Sequence, residues 1–166
     1  FKMNIITKSL IKTLKKFKRK KLIVHEPDVR PKDLSYLKNC IYKKEVSAIG
    51  SSTKTFEKKI AKITKAKNVI LTNSGTSALH ISCILAGVKK NEEVLVPAFT
   101  FVASVNSILY SQGIPHFIDT KKNNLTIDFI KLDKYLKKIS KKYKDRTINK
   151  KTNRIIKAIM IVHPFG

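Results

Sequence analysis

At 166 residues, 42% hydrophobic and 28% charged, the chain can bury one core of moderate size and falls outside the disordered and fibrous classes. Its formal charge of +25 raises nucleic acid or an anionic surface as a partner, yet Arg occurs only at 19, 30, 146 and 154, and readers of bases and phosphates favour the Arg fork. The excess also concentrates in two segments, residues 1–22 with nine Lys/Arg and no acid and residues 131–157 with twelve against two, so it reads as composition rather than as a nucleic-acid surface.

The first 22 residues read as a basic N-terminal extension, in which Ser9 to Lys21 can form an amphipathic helix with Leu10, Ile11, Leu14 and Phe17 on one side. Pro31 and Asp33 open a helical pattern carrying Leu34, Leu37 and Ile41, followed by a loop through Gly50 and Ser51. Phe56, Ile60 and Ile63 mark a second amphipathic helix ending near Lys65. From there strands and helices alternate. Strand Val69–Thr72 precedes helix Gly75–Ala86, and strand Val94–Val96 precedes helix Thr100–Ser111. Strand His116–Asp119 precedes helix Asp128–Lys142, and Ile155–Val162 forms a fourth strand. This alternation predicts an α/β fold with a mostly parallel sheet between helices. The apolar runs at 94–96 and 155–162 suit parallel strands covered on both faces.

Functional groups of such a sheet gather at the strands' C-terminal ends. Residues 73–77, 97–101, 119–120 and 163–166 stand there, and none carries a dinucleotide or P-loop glycine pattern. The strongest local signal is Asn73-Ser74-Gly75-Thr76-Ser77, where an apolar run breaks and a helix opens. Backbone N–H groups at a helix N-terminus attract an anion, Gly75 permits close approach, and the hydroxyls of Ser74, Thr76 and Ser77 add donors without charge, which suits a phosphate monoester. The same residues also read as an ordinary Ser cap after a strand. Cys40 and Cys83 are too few and too far apart for a disulfide framework or a metal site, and fit a reducing cytoplasm. His25, His80 and His116 have no metal-ligand spacing and read as packing residues. No apolar run approaches the ~20 residues that span a bilayer, and the basic N-terminus lacks the apolar core of a signal peptide.

Three segments taken together carry more than any one. Asn73–His80, Asn91–Ser104 with Pro115–Asp119, and Val162–Gly166 resemble the N-terminal half of the DegT/StrS family of pyridoxal-phosphate-dependent sugar aminotransferases, from His25-Glu26-Pro27 through Val46-Ser47 and Phe56-Glu57 to the last residue. The resemblance implies a fold-type I, aspartate aminotransferase-like large domain, here residues 23–166, truncated before its C-terminal remainder. It implies pyridoxal 5'-phosphate as cofactor, with Gly75, Thr76 and Ser77 at the phosphate and Phe101 against the pyridine ring. No catalytic residue is assigned within the chain: the Asp facing the pyridinium nitrogen and the Schiff-base Lys are expected beyond Gly166, and no Lys here replaces them.

The expected activity of the intact protein is transfer of an amino group from an amino acid, glutamate foremost, to the C4 ketone of a nucleotide-linked sugar for cell-surface glycans, in a cytoplasmic homodimer; the fragment alone is expected to be inactive. His25-Glu26-Pro27, Pro115–Asp119 and the insert ending Asn149–Arg154 are similar to the branch acting on UDP-linked 4-keto sugars for bacillosamine or legionaminic acid. Some family members carry His in place of the Schiff-base Lys and deoxygenate sugars instead, which leaves a dehydratase open. A basic nucleic-acid or anionic-surface binding protein is the reading from another class.

Overall fold

The computed structural model describes residues 5–16 and 27–164. The chain separates into two compact units that meet between Thr55 and Phe56, each described by itself.

The first unit contains helix α1 (Ile5–Leu14) and helix α2 (Pro31–Tyr42), and runs into the start of α3 (Ser51–Thr64). The amphipathic segment expected over 9–21 thus begins earlier and is helical to Leu14; Phe17 to Lys21 lie outside the described residues. Pro31 opens α2 where its missing N–H costs nothing, and the Asp33 carboxylate accepts the Arg30 backbone N–H at 2.8 Å. Glu45 does the same for α3, accepting the Ser51 N–H at 3.1 Å and the Ser51 hydroxyl at 2.6 Å. The Ser51 hydroxyl is the chief reason the Glu45 carboxyl is held below its ordinary value. A carboxylate there also complements the helix dipole.

The second unit is a three-layer α/β arrangement. Helix α4 (Gly75–Leu85) leads to strand β1 (Glu93–Pro97), helix α5 (Val102–Tyr110), strand β2 (Ile114–Ile118) and helix α6 (Phe129–Ile139). A hairpin, β3 (Ser140–Tyr143) with β4 (Arg146–Asn149), precedes strand β5 (Ile156–Ile159). The main sheet has the order β2-β1-β5 and both pairings are parallel. β1 is central and buried at all five positions. Its pleat sends Val94 and Val96 to one face, against Cys83, Val88 and Ile108, and Leu95 to the other, against Ile118, Ile127 and Leu132. A strand apolar at consecutive positions is therefore what two covering helix layers require. β2 lies at the edge, where Pro115 is tolerated.

Helix α4 ends as its sequence dictates. Gly87 takes φ +72°, its N–H bonds the Ile84 carbonyl at 2.9 Å, and the Val88 N–H bonds the Cys83 carbonyl at 3.1 Å. This pair of bonds satisfies carbonyls that the helix leaves open, and turns Val88 into the core.

Three expectations are corrected. Val69–Thr72 is not a strand: no described strand lies beside it, and the Leu71 N–H bonds the Glu57 carboxylate of α3 at 3.1 Å instead. Helix α6 stops at Ile139 rather than Lys142, because Ser140 turns extended and Lys144, at φ 52°, folds the chain back as the hairpin. The run 155–162 is shorter as a strand and only partly covered, since Lys157 and Ile159 of β5 are exposed while Ala158 packs on the Val94 and Val96 face and Ile156 on the Leu95 face. An apolar stretch reports a tendency to be buried; a neighbouring strand must still be present to bury it.

Candidate functional site

The N-terminus of α4 follows directly on the irregular segment 68–74. Ser74 caps the helix with extended backbone, and its hydroxyl oxygen accepts the Ser77 N–H at 3.2 Å while lying 3.1 Å from the Ser77 hydroxyl. The Ala78 N–H takes the Ser74 carbonyl at 3.1 Å, the first bond of the helix. Thr72 supports the turn by donating its hydroxyl to the same carbonyl at 2.9 Å. The N–H groups of Gly75 and Thr76 are therefore the first two of α4 and have no acceptor within the helix.

Gly75 is exposed, and a Cβ built on it meets nothing within 4 Å. The space before the helix end is open, uncharged in its own residues 73–80, and bordered by two unengaged N–H groups with the hydroxyls of Thr76 and Ser77 beside them. Such a cradle fits an anion: the dipole favours negative charge, and no carboxylate of the turn opposes it. A phosphate monoester therefore fits the turn, with Ser77 contributing its hydroxyl rather than its N–H, which Ser74 already holds.

Phe101 stands at the C-terminal end of the β1 layer, as the N-cap residue of α5, and is 67% exposed. Its side chain cannot cap; the Ser104 N–H takes the Phe101 carbonyl at 3.0 Å, and Thr100 donates its hydroxyl to Ser104 at 2.9 Å. A large apolar ring left exposed at a strand end is available to a flat ligand. The loop is anchored by the Ala98 N–H on the Ile118 carbonyl at 2.9 Å, which ties it to β2. Asp119, one residue past β2, is exposed and paired with Lys131 of α6 at 3.1 Å; the Lys131 hydrogen bond is the main cause holding its carboxyl below the ordinary value. His163 is exposed beyond β5. A surface cavity of about 350 Å³ between β2 and α6, lined by Phe117, Asp119, Lys131 and Tyr135, includes none of Gly75, Thr76, Ser77 or Phe101.

Of the three histidines read as packing residues, His25 lies outside the described residues, His80 packs on a ring and His116 makes polar contacts. His80 meets Tyr110 edge-on at 5.8 Å between ring centres. Among the described residues no three His, Cys, Asp or Glu side chains cluster as metal ligands, and no helix is long and apolar enough to cross a membrane.

His116 leads to a cluster absent from the motif reading. Its Nδ1 lies 2.7 Å from Glu93 Oε2 and its Nε2 lies 2.9 Å from the Tyr135 hydroxyl. Glu93, the first residue of β1, is 2% exposed and also accepts Asn149 Nδ2 at 2.9 Å and the Thr152 hydroxyl. Burial pushes its carboxyl up, but the bonds from Asn149, Thr152 and His116 together outweigh that and leave it below its ordinary value. The one trace of this in the sequence is a carboxylate opening a wholly apolar strand. The cluster sits at the opposite end of β1 from Pro97–Phe101.

Comparison with known proteins shows the family and the fold. The model of the DegT/DnrJ/EryC1/StrS aminotransferase family matches residues 27–166. A GDP-perosamine synthase of Vibrio cholerae is 34% identical over 143 residues, covering 86% of this chain and 35% of that protein. The putative pyridoxal phosphate-dependent aminotransferase EpsN of Bacillus subtilis (strain 168) is 26% identical over 147 residues, 89% of this chain and 35% of that protein. The chain thus spans about a third of the length of the curated relatives it matches. Among solved structures, a DegT DnrJ EryC1 StrS aminotransferase from Brucella abortus superposes with TM-score 0.65 at 22% identity, over 86% of this chain and 38% of that one. A GDP-4-keto-6-deoxymannose-3-dehydratase superposes with TM-score 0.58 at 20% identity, over 69% and 31%. These superpositions show a shared fold. With an α/β fold and a family model matching residues 27–166, the chain belongs to the DegT/DnrJ/EryC1/StrS aminotransferase family.

Proposed function

We propose that the protein to which this chain belongs binds pyridoxal 5'-phosphate and transfers an amino group from an amino acid, glutamate foremost, to the C4 ketone of a nucleotide-linked 4-keto sugar. The observation that carries this reading is the N-terminus of α4: Ser74 engages the Ser77 N–H and lies 3.1 Å from its hydroxyl, while the Gly75 and Thr76 N–H groups have no acceptor within the helix and the space at Gly75 is open. These groups would hold the cofactor phosphate by short charge-assisted bonds in the field of the helix. Phe101 would lie on one face of the pyridine ring, fixing its plane and keeping water from that side. The cofactor supplies the electron sink for moving the amino group. The residue that makes the covalent link to it is assigned to the remainder of the protein, as is the acid that faces the ring nitrogen. A cytoplasmic homodimer, each subunit completing its partner's site, and residues 1–22 as an extension outside the cofactor domain belong to the same proposal.

The finer choice of sugar rests on His25-Glu26-Pro27, Pro115–Asp119 and Asn149–Arg154, which favour a UDP-linked substrate. The perosamine synthases among the relatives are named for a GDP-linked sugar. Incubating the full-length protein with cofactor, glutamate and either UDP- or GDP-linked 4-keto-6-deoxy sugar decides it: amino sugar from the UDP substrate alone is the expected result, and product from the GDP substrate alone overturns the branch assignment. A dehydratase of the same family is the second reading; it releases water from the sugar with no amino sugar formed. Failure to bind the cofactor at all, together with salt-sensitive binding of DNA, would refute the enzyme reading and favour a basic binding protein.

A further inference from the structure

Residues 140–154 leave the sheet after α6 and rejoin it at β5, adding no strand to the three-stranded sheet. The excursion is bonded to itself by the β3–β4 ladder and by the Asn149 and Asn153 N–H groups, which reach the Arg154 and Asn149 carbonyls at 2.8 Å each. Its surface is polar and basic: Lys141, Lys142, Lys144 and Arg146 are all exposed. The backbone ties it to its surroundings at two places, the Lys150 N–H on the Ile139 carbonyl at 2.7 Å and the bridge between Ile148 and Ile155, and its remaining polar docking comes from side chains.

Two of those side chains meet at Glu93. The carboxylate is buried at the start of β1, and a buried charge is tolerated only when its oxygens are hydrogen-bonded. Both oxygens are engaged from two directions. Asn149 Nδ2 reaches Oε2 at 2.9 Å and Oε1 at 3.3 Å, and the Thr152 hydroxyl reaches Oε1. From β2, His116 Nδ1 reaches Oε2 at 2.7 Å, with its ring oriented from α6 by the Tyr135 hydroxyl on Nε2 at 2.9 Å. The other nearby ionisable groups turn elsewhere: the Glu92 carboxylate accepts the Lys89 N–H, and Lys157 of β5 extends toward Gly87.

We propose that Glu93 is an ionic latch that docks the 140–154 excursion onto the sheet, holding it through Asn149 and Thr152 while the carboxylate is charged, with His116 and Tyr135 as the positioning residues that fix the carboxylate's orientation. Removing the charge releases the excursion as a unit. The sheet beneath it keeps its own apolar clusters around Val94, Leu95 and Val96 and stays folded.

The test is hydrogen–deuterium exchange on the full-length protein at neutral pH, paired with brief trypsin digestion. In Glu93→Gln the amides of 140–154 should exchange about tenfold faster or more, with β1 and α5 unchanged, as expected for opening of a local unit. The first tryptic cuts should fall at Lys141 to Lys151. Thr152→Val, which removes one donor and keeps the shape, should give the same pattern with smaller amplitude, and Thr152→Ser should restore native protection. Unchanged protection of 140–154 in both Glu93→Gln and Thr152→Val overturns the proposal, because the hairpin's own ladder would then suffice. Loosening spread evenly over β1, β2 and 140–154 in Thr152→Val overturns it as well. If Glu93→Gln does not fold, Thr152→Val decides by the same two criteria.

Discussion

The turn at the start of α4 offers two roles that are separable by substitution, capping a helix and holding a phosphate. Ser74→Ala removes the acceptor of the Ser77 N–H at 3.2 Å and the 3.1 Å contact between hydroxyls, and nothing else in the turn. Loss of a Ser cap costs about 1 kcal/mol. Ser74→Ala should therefore lower the urea midpoint of the full-length protein without cofactor. It also frees the Ser77 N–H as a third donor, so affinity for pyridoxal phosphate should hold within about threefold, a change worth under ~1 kcal/mol.

Thr76→Val should do the reverse. The Thr76 side chain is half-buried and accepts nothing that the helix needs, so stability changes little. Loss of a hydroxyl donor to a charged phosphate costs about 1.5–3 kcal/mol, or roughly 10- to 100-fold in affinity. Urea denaturation read by far-ultraviolet dichroism and cofactor titration read by absorbance give the two quantities on the same samples. If Thr76→Val leaves cofactor affinity intact while Ser74→Ala abolishes it, the turn is a structural cap and the phosphate lies elsewhere.

Gly75 and Gly113 should respond oppositely to alanine. A Cβ at Gly113 falls 2.9 Å from Val88 Cγ1 and 3.1 Å from Ile108 Cγ2 in the core, so Gly113→Ala should cost about 1–3 kcal/mol by urea denaturation; at Gly75 a Cβ meets open space, and the fold should be unaffected. Glu93 is held below its ordinary carboxyl value when folded, so its contribution to stability is present at neutral pH, persists down to the ordinary value, and is lost as pH falls through the lowered one; urea midpoints from pH 7 to pH 3 should fall less steeply in Glu93→Gln. Asp119→Asn, at an exposed pair with Lys131, should leave the midpoint almost unchanged in 0.5 M salt, whereas a marked loss would mean that the pair does more than lie on the surface.

What the sequence by itself determined is local. Pro31 and Asp33 open α2, the Phe56, Ile60 and Ile63 spacing gives α3, Ser74 opens α4, and the run Val94–Val96 is the buried centre of the sheet. Each depends on neighbours a few residues away, through capping geometry or side-chain periodicity, so the signal lies within a short window. The turn proposed to hold a phosphate was legible for the same reason, since its N–H groups are consecutive backbone groups. Tertiary structure alone decided that Val69–Thr72 remains irregular, that the chain after Ile139 folds as a hairpin, and that Glu93 meets Asn149 and Thr152 more than fifty residues along the chain. A strand exists only beside another strand, and a buried carboxylate survives only where distant donors converge on it; neither condition is written in any short stretch of residues.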